Sequence, residues 1–297
     1  MNIVKLKSFL VLAEYKSFSK AADILYCSQP AISKQIESLE NELQVPLFNR
    51  IRNKISLTIQ GEHFKYYAEE IVKLYENSKE HIRQIENLNE GTLFFGATNF
   101  IGVYIVPKLI KEFQTLYPKI EINMVIQSSR KLFSMLEKHE IEFIFLSHYV
   151  DIDKNKYITR HFCTDELVLI LNNNHRLSNQ SSCKLTDVKD ELFITKDSSS
   201  SLYKFLGEKI QDFDFKRKLI ISNQEAIKHA VIEGIGISIM SKISVETEVK
   251  AGLIKALTIE DYSLVRDINL VYDRRKHITP AGHAFFELMK LDSINNI

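Results

Sequence analysis

Two short helical patterns joined by a tight turn, between Lys16 and Leu43, constrain this chain more than any other stretch. The first helix is expected over about Ser19 to Tyr26, with Ser19 as N-cap because its hydroxyl can accept an orphan backbone N–H. Ala21, Ala22 and Leu25 give it a small apolar face that lets a second helix approach. Cys27 and Ser28 form the turn. Ser28 caps the second helix, and Pro30 falls in its first turn, where no N–H is needed. Ile32, Ile36, Leu39 and Leu43 then recur at i, i+4, i+7 and i+11, one buried stripe. The opposite face carries Gln29, Ser33, Lys34 and Glu37, mostly donors of the kind that read base edges and phosphates. Pro46-Leu47-Phe48 ends this helix. Arg50, Arg52 and Lys54 follow as three cations within a five-residue span with no acid among them, and Leu57-Thr58 resumes an extended pattern. A helix pair beside a basic wing suits DNA. An ordinary helical hairpin with a solvated face would share the pair but not the cations. Gln29, Ser33 and Lys34 are therefore expected in the groove and Arg50, Arg52 and Lys54 on phosphates, with Ser28 and Pro30 counted among the DNA-binding residues at the start of the helix.

From about Ile59 to Asn89 the pattern becomes a heptad seam: Phe64, Ala68, Ile71, Tyr75, Ser78, Ile82 and Ile85. After Gly61 neither Pro nor Gly interrupts it. Such a helix is roughly 40 Å long at 1.5 Å per residue, and a narrow apolar seam buries itself best against a second copy. A dimerisation helix that also links two domains is expected. A long surface helix on a globular core is the alternative.

After Gly91 the rhythm is strand–helix–strand. Strands are expected over 92–98, 120–127 and 141–147, with helices from Tyr104 to Tyr117 and Ser129 to His139 between them. This βαβαβ order implies a parallel sheet. A second α/β set follows. Its strands are expected over 166–172, 192–195, 218–222, 236–240 and 265–272, and its helices over 199–210, 223–233 and 280–291. In open α/β sheets, ligands bind beyond the carboxyl ends of strands. Three such corners are polar: Thr98-Asn99-Phe100, Gln127-Ser128-Ser129, and the run from Thr195 through Ser198, Ser199 and Ser200 to Ser201. Helix capping is the commonest use of Ser, Thr and Asn at such corners. Corners that face one cleft would instead make a binding site.

The 297 residues carry a formal net charge of only +1, so bulk charge does not drive any nucleic-acid contact. Residues 1–60 hold eight Lys and Arg against five Asp and Glu, so the placement of these charges matters more than their sum. Three scattered cysteines, Cys27, Cys163 and Cys183, show neither disulfide-framework nor zinc spacing, which fits a reducing cytoplasm. Neither a signal-peptide pattern nor an apolar run of membrane-spanning length occurs. No nucleophile elbow, phosphate-binding loop or zinc-protease motif is present, so neither catalysis, cofactor nor metal is expected. A solute receptor without DNA activity would require a signal peptide and no helix pair. An α/β enzyme with a regulatory N-terminal domain would require a catalytic or cofactor motif.

The N-terminal segment resembles that of LysR-type transcriptional regulators. The matching residues are Leu6, Phe9, Ser17-Phe18, Ala21-Ala22, Leu25, Ser28-Gln29-Pro30-Ala31, Ser33, Ile36, Leu39-Glu40, Leu43, Leu47-Phe48, Arg50, Leu57-Thr58 and Gly61. The layout is similar along nearly the whole chain, more loosely toward the C-terminus. The resemblance implies a bacterial, cytoplasmic regulator that binds promoter DNA as a homodimer or homotetramer. It implies a winged helix-turn-helix domain (1–58), a linker/dimerisation helix (59–89) and a two-lobed α/β effector-binding domain resembling periplasmic solute-binding proteins (90–297). Lobe one would comprise 92–161 and 267–297, lobe two 162–266, with hinges where the chain crosses. It further implies that the first and last corners, Thr98-Asn99-Phe100 and Thr195 with Ser198, Ser199 and Ser200, contact a small-molecule effector; Ser128 and Ser129 join them as the second polar corner after a strand. The donor-rich character of these residues points to a small anion. Where the family often has Gly-x-Leu-Asp, this chain has His139-Glu140-Ile141-Glu142, which makes the local turn unusual.

Overall fold

The computed structural model describes residues 1–51, 54–86, 90–147, 152–198, 200–210 and 214–289. The side chains of Arg50, Ile51, Lys54, His81 and residues 83–86 are also outside the description. The chain packs as two compact units: Met1–Glu86 with Lys138–Glu140, and Asn87–Glu137 with Ile141–Ile297.

The first unit contains α1 (Ile3–Tyr15), α2 (Phe18–Ile24), α3 (Gln29–Leu43), β1 (Phe48–Ile51), β2 (Lys54–Leu57) and α4 (Ile59–Glu86). α2 is capped by Ser17, which accepts from Lys20 N, and not by Ser19. Ser19 lies one residue inside the helix, where its hydroxyl donates to Gln29 Oε1 at 3.2 Å. The turn closes as a Schellman motif: Cys27 N–H reaches Ala22 O at 3.0 Å while Tyr26 takes φ 50°. That left-handed position usually holds Gly, and a residue with a Cβ gives up roughly 1–2 kcal/mol there. Ser28 caps α3 as expected, with Pro30 in the first turn. Leu6, Phe9, Leu12, Ala21, Ala22, Ile32, Ile36 and Leu39 form the core. β1 and β2 pair antiparallel, with Arg50 opposite Ile55. Glu40 anchors this wing by accepting from Leu47 N at 2.7 Å and Phe48 N at 3.0 Å. Gly61 is required by close approach, since a Cβ there would meet Leu47 O at 2.2 Å.

α4 corrects the expected seam at its N-terminal end. Ala68 is fully buried, and Phe64 packs on Phe9 with ring centroids 5.1 Å apart. These residues belong to the unit's own core. The apolar residues left exposed along it include Tyr67, Ile71, Leu74, Tyr75 and Ile82. Ile85 lies outside the described side chains.

The second unit is α/β. It contains β3 (Gly91–Ala97), α5 (Asn99–Tyr104), α6 (Val106–Leu116), β4 (Ile120–Ile126), α7 (Ser129–Glu137), β5 (Phe143–Ser147) and β6 (Tyr157–Asn172). There follow β7 (Ser182–Cys183), a short 3-10 turn (Leu185–Val188), β8 (Leu192–Thr195), α8 (Ser201–Lys209), β9 (Arg217–Ile220), α9 (Gln224–Ile232) and β10 (Ser238–Ser241). α10 (Lys242–Lys250), β11 (Ile254–Ile259), β12 (Val265–Asp273) and α11 (Pro280–Leu288) complete it. β3 pairs parallel with β4 and β5, as the βαβαβ order requires, but β12 pairs antiparallel with both β5 and β6. The sheet is therefore mixed.

β6 is the long element. Its Tyr157–Glu166 half pairs with β12, and its Leu167–Asn172 half pairs with β10 and β11. One strand thus passes from one core to another. The first core centres on Phe95, Phe113, Phe143 and Phe285, the second on Leu169, Phe193, Phe205, Ile239 and Leu257. The helix expected over Tyr104 to Tyr117 is α6, and an additional short helix, α5, precedes it. α5 ends at Tyr104, and Pro107 lies in the first turn of α6, where its missing N–H costs nothing. After α7, His139 takes φ 55°. It occupies the left-handed position that the family's Gly would fill more easily.

Candidate functional site

Two surfaces concentrate functional side chains, one in each unit. On the first unit, Gln29, Pro30, Lys34 and Glu37 are exposed along one face of α3, and Ser33 is half-buried between them. Ser28 is engaged as the cap of that helix. Ser19 donates to Gln29 Oε1, which occupies the acceptor of that side-chain amide and leaves its N–H groups without a bond among the described residues. Arg50 and Lys54 stand on the two wing strands, though their side chains lie outside the described residues, as does the whole of Arg52.

The second unit holds a cavity of about 420 Å³ between its two cores. Strand ends build it. Thr98, Asn99 and Phe100 follow β3, Gln127 to Ser129 follow β4, and Ser147 ends β5. Lys196 and Asp197 follow β8, Ser222 follows β9, and Ser241 ends β10. Ser200, Ser201 and Leu202 enter from the start of α8, Gln224 from the start of α9, and Arg266 from β12. The sheets thus direct their carboxyl ends at one space, where unpaired backbone and polar side chains collect.

Six of the nine expected effector residues line it: Thr98, Asn99, Phe100, Ser128, Ser129 and Ser200. Thr195 is buried at the end of β8 and is not in the lining, whereas the next residue, Lys196, is. Ser198 is exposed and outside the lining. Ser199 lies outside the described residues. Gln224 belongs to the Asn223-Gln224 pair before α9, a lesser candidate in the sequence, while Ser147, Ser222, Ser241 and Arg266 are additions. Ser147, Ser241 and Arg266 lie within or at the ends of strands that read as structural.

Capping can be separated from binding here. Ser200 accepts from Leu202 N and Ser128 from Lys131 N, so both hydroxyl oxygens serve their helices. Thr98 occupies the cap position of α5 yet makes no side-chain cap bond. Its hydroxyl is available to the cavity.

The floor is charged but internally matched. Arg266 Nε and Nη2 both lie 2.8 Å from Asp165 Oδ2, and Ser241 Oγ donates to Asp165 Oδ1 at 2.5 Å. The guanidinium sits 4.9 Å from the centroid of the Phe100 ring. Burial pushes the Asp165 carboxyl above its ordinary pKa, and Arg266 and Ser241 only partly reverse this. Among the described residues Lys196 has no such partner: burial lowers its pKa, and Asp197 only partly offsets that. An anion near Lys196 would restore the favourable field that burial removed.

A second polar cluster ties α5 to α9 and α10. Lys228, 4% exposed, lies 2.7 Å from Glu248, 3.1 Å from Glu225 and 3.0 Å from Tyr104 Oη. It also donates to Ser244 O at 3.2 Å, and the Tyr104 hydroxyl donates to Glu225. Burial alone would lower the Lys228 pKa, but bonds to Glu248, Tyr104 and Glu225 hold it above the ordinary lysine value.

Burial pushes the Cys163 and Cys183 thiols up to about 11, which leaves them protonated and weakly nucleophilic at neutral pH. Among the described residues no group of three or more His, Cys, Asp or Glu could hold a metal ion, and no helix is long and apolar enough to cross a membrane.

Two family models match. Residues 3–62 fit the bacterial regulatory helix-turn-helix protein, lysR family, and residues 86–291 fit the LysR substrate binding domain. A probable RuBisCO transcriptional regulator of Phaeodactylum tricornutum is 33% identical, over 98% of this chain and 97% of the relative. Among solved structures, full-length OxyR from Pseudomonas aeruginosa has a TM-score of 0.69 at 20% identity, covering 98% of this chain and 94% of that one. Full-length CbnR complexed with its target DNA also has a TM-score of 0.69, at 21% identity, covering 98% of this chain and 99% of that one.

Proposed function

Because the chain belongs to the LysR family of transcriptional regulators, with a helix-turn-helix DNA-binding domain and an effector-binding domain, we propose how each part works. Gln29, Ser33 and Lys34 read base edges in the major groove, with Ser28 and Pro30 setting the helix entry. Arg50, Arg52 and Lys54 hold phosphates on the wing. Two copies join through the exposed apolar residues of α4, so the site read is an inverted repeat. The protein works in the cytoplasm, where its DNA is. Relatives named as probable RuBisCO transcriptional regulators make carbon-metabolism promoters the first to test.

The effector is a small anion bound in the 420 Å³ cavity. One observation carries this: Thr98 lines the cavity with its hydroxyl unused as a cap, and half-buried Lys196 lines the same cavity. Hydroxyls of Ser129, Ser201 and Ser222 and the amides of Asn99 and Gln127 add donors of the right kind. Arg266 lends directionality but little net charge, since Asp165 matches it. Closing the cavity walls on the anion would shift the two cores about β6 and β12, and the change passes to the DNA-binding unit.

Thr98→Val keeps the shape and removes the donor. Calorimetric titration of the full chain with a panel of carboxylate, sulfate and phosphate metabolites should show one or more binding to wild type. The variant should bind the same anion at least tenfold more weakly, about the worth of one hydrogen bond to a charged group, while its DNA affinity without effector stays the same. Equal binding by the variant, or an apolar effector, would remove this site assignment and leave the DNA-reading assignment untouched.

A further inference from the structure

Among the described residues Tyr26 is the most exposed large hydrophobic side chain, at 97%, and it sits at φ 50° in the turn between α2 and α3. The Schellman bonds of that turn demand a left-handed residue, and Gly or Asn would meet the demand with less strain. The side chain repays none of this inside the fold. Among the described residues it makes no hydrogen bond, ion pair or ring contact. A bulky aromatic held in a disfavoured conformation and turned wholly to solvent suggests a partner outside the chain. Its position names the partner. It comes two residues before Ser28, the cap of the helix whose first residues, Gln29 and Pro30, are exposed. Where a recognition helix enters the major groove by its N-terminus, the residues just ahead of it meet the sugar–phosphate strand that borders the groove.

We propose that Tyr26 is a DNA-backbone contact: its ring lies along a deoxyribose at the groove edge, and its phenol donates to a phosphate oxygen. The inference rests on the assignment of α3 to the major groove. It differs from the wing cations in a measurable way. A neutral hydroxyl displaces no condensed counterion, so it contributes affinity without contributing to the salt slope.

The test is fluorescence-anisotropy titration of the full chain on two duplexes, one selected by the protein and one of random sequence, at several salt concentrations. Tyr26→Phe keeps the ring, the exposure and the turn. It should weaken both duplexes by about five- to tenfold, with the salt slope unchanged. Tyr26→Asn should weaken both at least as much, yet raise the melting temperature of the free protein, because Asn tolerates the left-handed turn. Unchanged affinity in Tyr26→Phe, or a loss confined to the selected duplex, overturns the backbone contact. If wild type binds neither duplex, the major-groove assignment beneath it fails first, and the two failures are distinguishable.

Discussion

Lys228→Met is expected to lower the stability of the effector-binding unit by about 3–5 kcal/mol, the usual result of removing one partner from a buried ion pair. The cation is 4% exposed and is shared by Glu248, Glu225 and Tyr104. Its loss leaves Glu248 with a carboxylate whose Oε2 already lacks a hydrogen-bond partner. Glu225 is half exposed and can turn to water, so Glu248 dominates the effect. Adding Glu248→Leu to Lys228→Met should recover most of the loss, because an apolar pair needs no counter-charge. Scanning calorimetry would read both variants. A loss below about 1 kcal/mol in the single variant would mean that water reaches the cluster and that it does not hold α5 to α9 and α10.

Joint replacement of Ile71 and Ile82 by Lys is expected to turn the protein into a monomer and to lower affinity for a two-half-site duplex by roughly a hundredfold or more, the advantage of linked binding. Both are among the exposed apolar residues of α4, with Tyr67, Leu74 and Tyr75. Pairing would bury these residues, and two lysines there would bury charge without partners. Neither residue is in the core around Phe9, so the fold of the unit should survive. Analytical sedimentation beside anisotropy titration would decide. Unchanged sedimentation with unchanged affinity would exclude α4 as the dimer contact.

How much of this was legible in the sequence varied with how local the deciding interaction is. α3 was fully legible: proline and apolar stripe lie within its fifteen residues and the cap Ser28 directly precedes them. The start of α2 was misplaced because Ser17 and Ser19 are chemically equal, and only the bond from Lys20 N to Ser17 distinguishes them. α5 was missed because Asn-Phe-Ile-Gly-Val-Tyr contains a Gly and β-branched residues that favour other states. The seam of α4 was right in period and wrong in partner at Phe64 and Ala68. Periodicity tells that a face is buried, not which neighbour buries it. The cavity corners Thr98 to Phe100 and Ser128-Ser129 were legible as polar runs after strands. Arg266 was not, because Asp165, the residue that holds it, is 101 positions away, and both lie in strands that read as structural.

Selection of bound duplexes from a random-sequence library by the full chain, run in parallel on wild type and Gln29→Ala, tests the DNA-reading function most directly. Wild type is expected to enrich a dyad-symmetric site with two half-sites. Gln29→Ala should enrich the same layout with the preference flattened at one base position in each half-site, a loss of about 1–3 kcal/mol of discrimination there. No enrichment by wild type, or an identical motif from Gln29→Ala, would contradict the assignment of α3 as the helix that reads the promoter.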